Sequence, residues 1–173
     1  MRFTKYHKYG GYHWKWYLNK PKYINHVNFL KEWVKEKNAL DIGAGDGLIA
    51  NQLGIIGIDN EPEAIRVAKE RGQEIILGDA YKLPFENEKF DVALMADILE
   101  HLEFPEKALQ EAKRILKNYL YVASPVVNFA TRSEVFHYKN YEPDDIKTLV
   151  EAQGFTEIER ITRGTKFYIK FKK

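Results

Sequence analysis

From residue 38 to residue 125 the chain alternates short apolar segments with amphipathic ones, and this alternation constrains the fold more than any other feature. The apolar segments are NALDIG (38–43), IIGID (55–59), EIILGDA (74–80), FDVALMA (90–96) and NYLYVASP (118–125). Between them lie LIANQL (48–53), EPEAIRVAKERG (61–72) and PEKALQEAKRIL (105–116), which read as helices. The second of these starts with Pro62 and acids and ends with Lys69, Arg71 and Gly72, as the helix dipole favours. Segments apolar almost throughout, separated by helices, predict a parallel sheet covered on both faces. A further helix, EPDDIKTLVEAQG (142–154), precedes FTEIERI (155–161) and KFYIKF (166–171). The short turn Arg163-Gly164-Thr165 makes those last two strands antiparallel to each other. Upstream, Tyr23, Ile24, Val27, Leu30, Trp33 and Val34 follow helical spacing and predict a leading helix over 21–37. One α/β domain over 1–173 is expected: an arm (1–20), the leading helix (21–37) and a core (38–173).

Charge is distributed unevenly. Seven Lys or Arg precede Glu32 and six follow Glu159, with no acid in either flank, so all 25 acidic residues lie between. The absence of cysteine removes disulfides, thiolate zinc sites and cysteine nucleophiles. No apolar run is long enough for a membrane span, and the N-terminus lacks the continuous apolar stretch of a signal peptide. A cytoplasmic protein is the expectation.

LDIGAGDG places Gly43, Gly45 and Gly47 just after the first strand, where glycines let backbone turn sharply and approach a ligand. The spacing differs from the GxGxxG of dinucleotide folds, and the Lys-Ser/Thr of a P-loop is missing. Asp59 ends the second strand, where a carboxylate can accept both hydroxyls of a ribose. Asp79 ends the third, within reach of an adenine amino group. Three successive strand ends at one sheet edge predict an adenosine-containing ligand.

These segments together resemble the class I S-adenosylmethionine-dependent methyltransferases, in particular the broad small-molecule (type-11-like) branch. ALDIGAGDG resembles the first family motif and GIDNEPEAI the acid of the second strand. GDAYKLPFENEKFDVALMADILEHL is similar to the third and fourth strand motifs, and PEKALQEAKRILKNYLYVASP continues the pattern. YEPDDIKTLVEAQGF (141–155) resembles the late helix. The resemblance implies a Rossmann-like, seven-stranded sheet in the order 3-2-1-4-5-7-6, and S-adenosylmethionine as co-substrate. It implies that Gly43, Ala44, Gly45 and Gly47 pass under the methionine half, and that Asp41 orients this loop and the amino group. Asp59 would hold the ribose, Asn60 would lie against the adenine, and Asp79 with Ala80 would read its edge. Met95, Ala96 and Asp97 would face the transferable methyl.

A hydroxyl acceptor needs a base, and ADILEHL (96–102) offers Asp97 and His101 as catalytic candidates. Asp97, Glu100 and His101 stand at i, i+3 and i+4, and with His137 they form a possible carboxylate-histidine metal set. That set loosely resembles the pattern of small-RNA 3′-end ribose methyltransferases. The family pattern accounts for the segment without a metal, so metal-independent transfer is expected.

YHKYGGYHWKWYLNK (6–20) packs rings among bases without an acid. It is expected to fold back as a lid, bending at Gly10-Gly11, with His13, Trp14 and Tyr17 as wall candidates. Arg163 and Lys166, flanking the last turn, border the same mouth in this reading and predict a small anionic acceptor. Two alternatives use the same features differently: an RNA methyltransferase with a basic aromatic binding arm, and a protein that holds S-adenosylmethionine without turnover.

Overall fold

The structure is a computed structural model that describes residues 5–126 and 137–173. Seven strands form one sheet: β1 (Ala39–Ile42), β2 (Ile56–Asp59), β3 (Ile75–Leu77), β4 (Phe90–Ala96), β5 (Leu116–Pro125), β6 (Thr156–Arg163) and β7 (Lys166–Lys172). Their order is β3-β2-β1-β4-β5-β7-β6. The first five are parallel, and β7 runs antiparallel to both β5 and β6. This is the order that the resemblance implied.

The helices are α1 (Lys5–Tyr9), α2 (Tyr12–Asn19), α3 (Pro21–Trp33), α4 (Leu48–Leu53), α5 (Pro62–Glu70), α6 (Pro105–Ile115) and α7 (Pro143–Glu151), with a 3₁₀ turn at Leu99–His101. Four of them begin at a proline, where the missing N–H is one that no helix turn would have paired. α7 also has a capping box, in which Glu142 and Asp145 satisfy each other's backbone N–H groups.

β1, β4 and most of β5 and β7 are buried on both faces, whereas β6 and most of β3 are exposed, and the buried residues alternate between two cores. Ala93 and Met95 of β4, Leu120 and Val122 of β5, and Phe167, Ile169 and Phe171 of β7 pack with the buried residues of α6 and α7. Val92 and Leu94, Tyr121 and Ala123, and Tyr168 face the opposite layer, with Phe29 and Leu30 of α3, Ala50 of α4 and Ala68 of α5. A one-residue register slip would exchange the two sets, so the period-two pattern pins the sheet. β1 has β2 on one side and β4 on the other, so the chain order reverses there and a crevice opens beyond the C-terminal strand ends.

The aromatic arm is two short helices, broken where Gly10 takes a positive φ of 60°. Its residues 1–4 lie outside the described residues. No helix among the described residues is long and apolar enough to cross a membrane.

Candidate active site

Beyond the ends of β1, β2, β3 and β4 lies a cavity of about 590 Å³, within the usual range for small-ligand sites. Its floor is the glycine turn. Gly43 and Gly45 have φ of 80° and 56°, a left-handed region costly for other residues. A Cβ on Gly43 would sit 2.2 Å from Ile98 Cδ1, and one on Gly45 2.2 Å from the Tyr6 hydroxyl. Gly47 does not line the cavity but caps α4.

Asp59 ties this turn to the next one. Its Oδ2 accepts from Gly45 N at 2.8 Å, and its Oδ1 accepts from Glu61 N at 2.8 Å. Each carboxylate oxygen keeps a further lone pair for a ligand. Burial raises the carboxyl above its usual range, although the backbone donors pull the other way. Ala44, Asn60, Asp79 and Ala80 line the same side, and Asp79 accepts from Tyr81 N at 2.9 Å.

Asp41 lies beneath the turn. It is 1% exposed, borders the cavity, and its Oδ2 has no hydrogen-bond partner. Burial, with Asp59 nearby, pushes its carboxyl up to about 8. A buried oxygen without a donor is costly, and one at a cavity wall is met by a ligand's N–H. S-adenosylmethionine, with an ammonium group on its methionine end, fits this donor deficit.

The arm forms one wall, through Asp46, a residue without an assigned role in the sequence reading. Asp46 is fully buried in the glycine turn and accepts from His13 N and His13 Nδ1, each at 3.1 Å. Its carbonyl oxygen accepts from Trp14 Nε1 at 2.9 Å. Tyr6, Tyr12, His13, Trp16 and Tyr23 line the cavity. Of the three wall candidates only His13 does so. Trp14, one position on and so turned about 100° round the helix, faces Arg71, and the Tyr17 hydroxyl, a full turn on from His13, donates to Gln52 instead. Tyr6 and Tyr12 are 4% and 6% exposed, which is core packing rather than an open stacking platform.

The acceptor side is built from the end of β4 and from β7. Ala96 and Asp97 line the cavity, whereas Met95 points into the core shared with α6 and α7, as alternation requires. Asp97 has a positive φ of 55° and is ion-paired with Lys166. Burial alone would raise its carboxyl, but the Lys166 ammonium paired with it outweighs burial and holds it below its usual range. His26, missed by the sequence reading as a mere helix position, is 3% exposed. Its Nδ1 is 2.8 Å from the Tyr168 hydroxyl, and its Nε2 is 3.8 Å from Asp97. Burial lowers its imidazole to about 3, so the 3.8 Å approach is one of a neutral ring. Arg163 does not join Lys166 at the mouth. Its guanidinium lies 4.3 Å over the Phe29 ring, and it is absent from the cavity lining.

Glu100, His101 and His137 also line the cavity, with candidate ligand atoms within 4.8 Å of one another. Glu100 is 2% exposed, and burial pushes its carboxyl up to about 8.

Residues 40–122 match the family profile described as "Methyltransferase domain". An uncharacterized protein of Methanocaldococcus jannaschii is 37% identical over 112 residues, 64% of this chain and 55% of that protein. Norajmaline N-methyltransferase of Rauvolfia serpentina is 33% identical over 131 residues, 66% of this chain and 44% of that protein. The chain thus spans about half the length of these curated relatives. Among solved structures, a Thermotoga maritima protein described as an S-adenosylmethionine-dependent methyltransferase, possibly a histamine N-methyltransferase, covers 98% of both chains. Its TM-score is 0.84 at 24% identity, a likeness of fold. Sheet order, cavity position and profile agree: residues 40–122 are similar to the methyltransferase-domain family, and the sheet has the strand order of the S-adenosylmethionine-dependent methyltransferase fold.

Proposed function

We propose that the protein transfers the methyl group of S-adenosylmethionine to an oxygen or nitrogen of a small acceptor. The observation that carries this reading is the unpartnered, buried Asp41 oxygen at the floor of a cavity bordered by the glycine turn, Asp59 and Asp79. When bound, the co-substrate supplies an already activated methyl, so the chain's task is to hold, orient and exclude water. Asp41 takes the ammonium group, Asp59 uses its spare lone pairs on the ribose hydroxyls, and Asn60, Asp79 and Ala80 meet the adenine. Tyr6, Tyr12, His13, Trp16 and Tyr23 close the opposite side with rings that leave little room for water.

The acceptor enters beside Ala96 and Asp97. An amine acceptor needs only somewhere to leave its proton, and the ionised Asp97 carboxylate serves. A hydroxyl acceptor needs a stronger base than a carboxylate held ionised by Lys166, and the His101 imidazole is the candidate. An anionic acceptor loses support, because Asp97 opposes the charge of Lys166 and Arg163 lies elsewhere. The RNA-arm alternative loses support as well, since the most arm-like rings are buried. A cytoplasmic setting accords with a cysteine-free chain.

Calorimetric titration with S-adenosylhomocysteine tests the first half of this reading. Binding is expected for the wild type, and Asp59→Ala should weaken it by about tenfold to a hundredfold, the loss of charge-assisted bonds worth roughly 1.5–3 kcal/mol. No heat from the wild type refutes it. Incubation of cell extract with methyl-labelled S-adenosylmethionine, with and without nuclease, tests the second half. Label in nuclease-resistant small species is expected; nuclease-sensitive label would point to RNA, and none at all to binding without turnover.

A further inference from the structure

Glu100, His101 and His137 come from two separated stretches of chain, the 3₁₀ turn after β4 and the segment that re-enters the described structure at 137. Tyr138 N donates to the Glu100 carbonyl at 2.8 Å, which seats the second stretch on the first. The two imidazole rings meet edge to face with centroids 4.7 Å apart. One potential ligand atom from each residue lies within 4.8 Å of those of the other two.

Two features independent of that clustering point to a cation. First, the Glu100 side chain is 2% exposed, yet among the described residues its hydrogen bond to another side chain, Ser124 Oγ, is a long one at 3.4 Å. A carboxyl so buried keeps its proton unless a cation or several donors accompany it, so an ion at this wall of the cavity would take the place of that proton. Second, His137 Nδ1 lies 2.9 Å from Asn140 Oδ1. A ring held through one nitrogen presents the other in a fixed direction, which is how metal-binding histidines are oriented by their outer partners.

We propose that Glu100, His101 and His137 bind a divalent cation of the zinc or cobalt type at the acceptor side of the cavity. Two imidazoles and a carboxylate are a donor set for such ions, with a remaining position open to a ligand. Ligand atoms about 2.0–2.1 Å from a tetrahedral ion are ~3.4 Å apart, so the set closes by small side-chain rotations. The open position faces the cavity, where it suits an acceptor's hydroxyl oxygen, and this use of the ion rests on the methyltransferase reading above. A bound ion lowers the pKa of a coordinated hydroxyl, whose proton would pass to the ionised Asp97 carboxylate as the methyl leaves sulfur for oxygen, and His101 then acts as a ligand rather than as a base. Asp97 stands outside the set despite its i, i+3, i+4 spacing, because Lys166 already engages its carboxylate.

The test is titration of the metal-free, full-length protein with Co²⁺, followed by visible absorption, with Zn²⁺ as competitor. The expected result is one ion per chain, with binding weakened by about tenfold or more in both Glu100→Gln and His137→Ala. Asp97→Asn should leave Co²⁺ affinity within about twofold. S-adenosylhomocysteine binding, measured on the same samples, should survive in all three variants and so report an intact fold. No Co²⁺ binding by the wild type, or equal binding by Glu100→Gln and His137→Ala, would overturn the cation site. A loss in Asp97→Asn as large as in the other two would overturn the three-ligand set. A wild type that binds Co²⁺ but not S-adenosylhomocysteine would instead overturn the methyltransferase reading and leave the cation site standing.

Discussion

Asp41→Asn should strengthen the empty fold at alkaline pH while weakening its hold on the co-substrate. Asp41 is 1% exposed, its Oδ2 has no donor, and burial with Asp59 close by raises its carboxyl from 3.8 to about 8. A raised carboxyl means that the folded protein keeps its proton up to about pH 8, whereas the unfolded chain releases it near pH 4. The folded state therefore binds more protons between those values. The associated stability is full below pH 4, declines through the window, and is gone above about pH 8. A shift of about four units corresponds to on the order of 5 kcal/mol. Asparagine cannot ionise, so this decline should be missing from the variant. Glu100 titrates in the same window but is common to both proteins, and the difference between them isolates Asp41. Urea unfolding of ligand-free wild type and variant at pH 5, 7 and 9 is the assay. The variant is expected to be more stable by about 1.5 kcal/mol at pH 5 and by several kcal/mol at pH 9. Affinity for S-adenosylhomocysteine should change the other way, falling by about tenfold to a hundredfold as a charge-assisted bond is lost. Parallel pH curves for the two proteins, or an unchanged affinity, would refute the assignment of Asp41 as the ammonium partner.

Two further substitutions probe the walls. Gly43→Ala forces a Cβ into Ile98 at a φ of 80° and should cost about 1–3 kcal/mol in thermal or denaturant unfolding. Adding Ile98→Ala should recover the part due to the clash, not the part due to the backbone; full recovery would show that the left-handed turn is unstrained. Lys166→Ala leaves Asp97 facing His26 without its ammonium, and the loss should be about 2 kcal/mol or more by urea unfolding. A neutral result there would mean that solvent already screens the pair.

The fold was legible because its signal is local and repeated. Each strand of the parallel core is an apolar run bounded by a turn residue, and Asp59 and Asp79 stand where such runs end. The order 3-2-1-4-5-7-6 came from resemblance and is met strand by strand. The leading helix ends at Trp33 rather than at 37, since Val34 already has extended backbone. What escaped the sequence depends on partners distant in the chain. Nothing about Asp46 in GAGDG announces that His13, 33 residues away, will bind it through both its backbone and its ring. Nor does helical spacing around His26 foretell Tyr168, 142 residues on. The rings of the arm were visible as a composition, but which of them face the cavity is decided by the turn at Gly10. That turn directs Tyr12, His13 and Trp16 inward and leaves Trp14 and Tyr17 outside. Arg163 and Lys166 flank one turn and still part company, because one lies on β6 against Phe29 and the other on β7 against Asp97.

The anchoring of the arm through Asp46 makes the binding loop and the N-terminal helices a single thermodynamic unit. Asp46 lies between Gly45 and Gly47, so any movement that detaches His13 and Trp14 also loosens the loop on which a ligand rests. Opening of α1 and α2 is then a local unfolding equilibrium that a bound ligand opposes, by RT ln(1 + [L]/Kd) for a ligand that binds the closed form alone. At a hundred times its dissociation constant, such a ligand would slow amide exchange in residues 12–19 by about a hundredfold. The exchange rate of that helix would thereby report the occupancy of the cavity, without any label on the ligand itself.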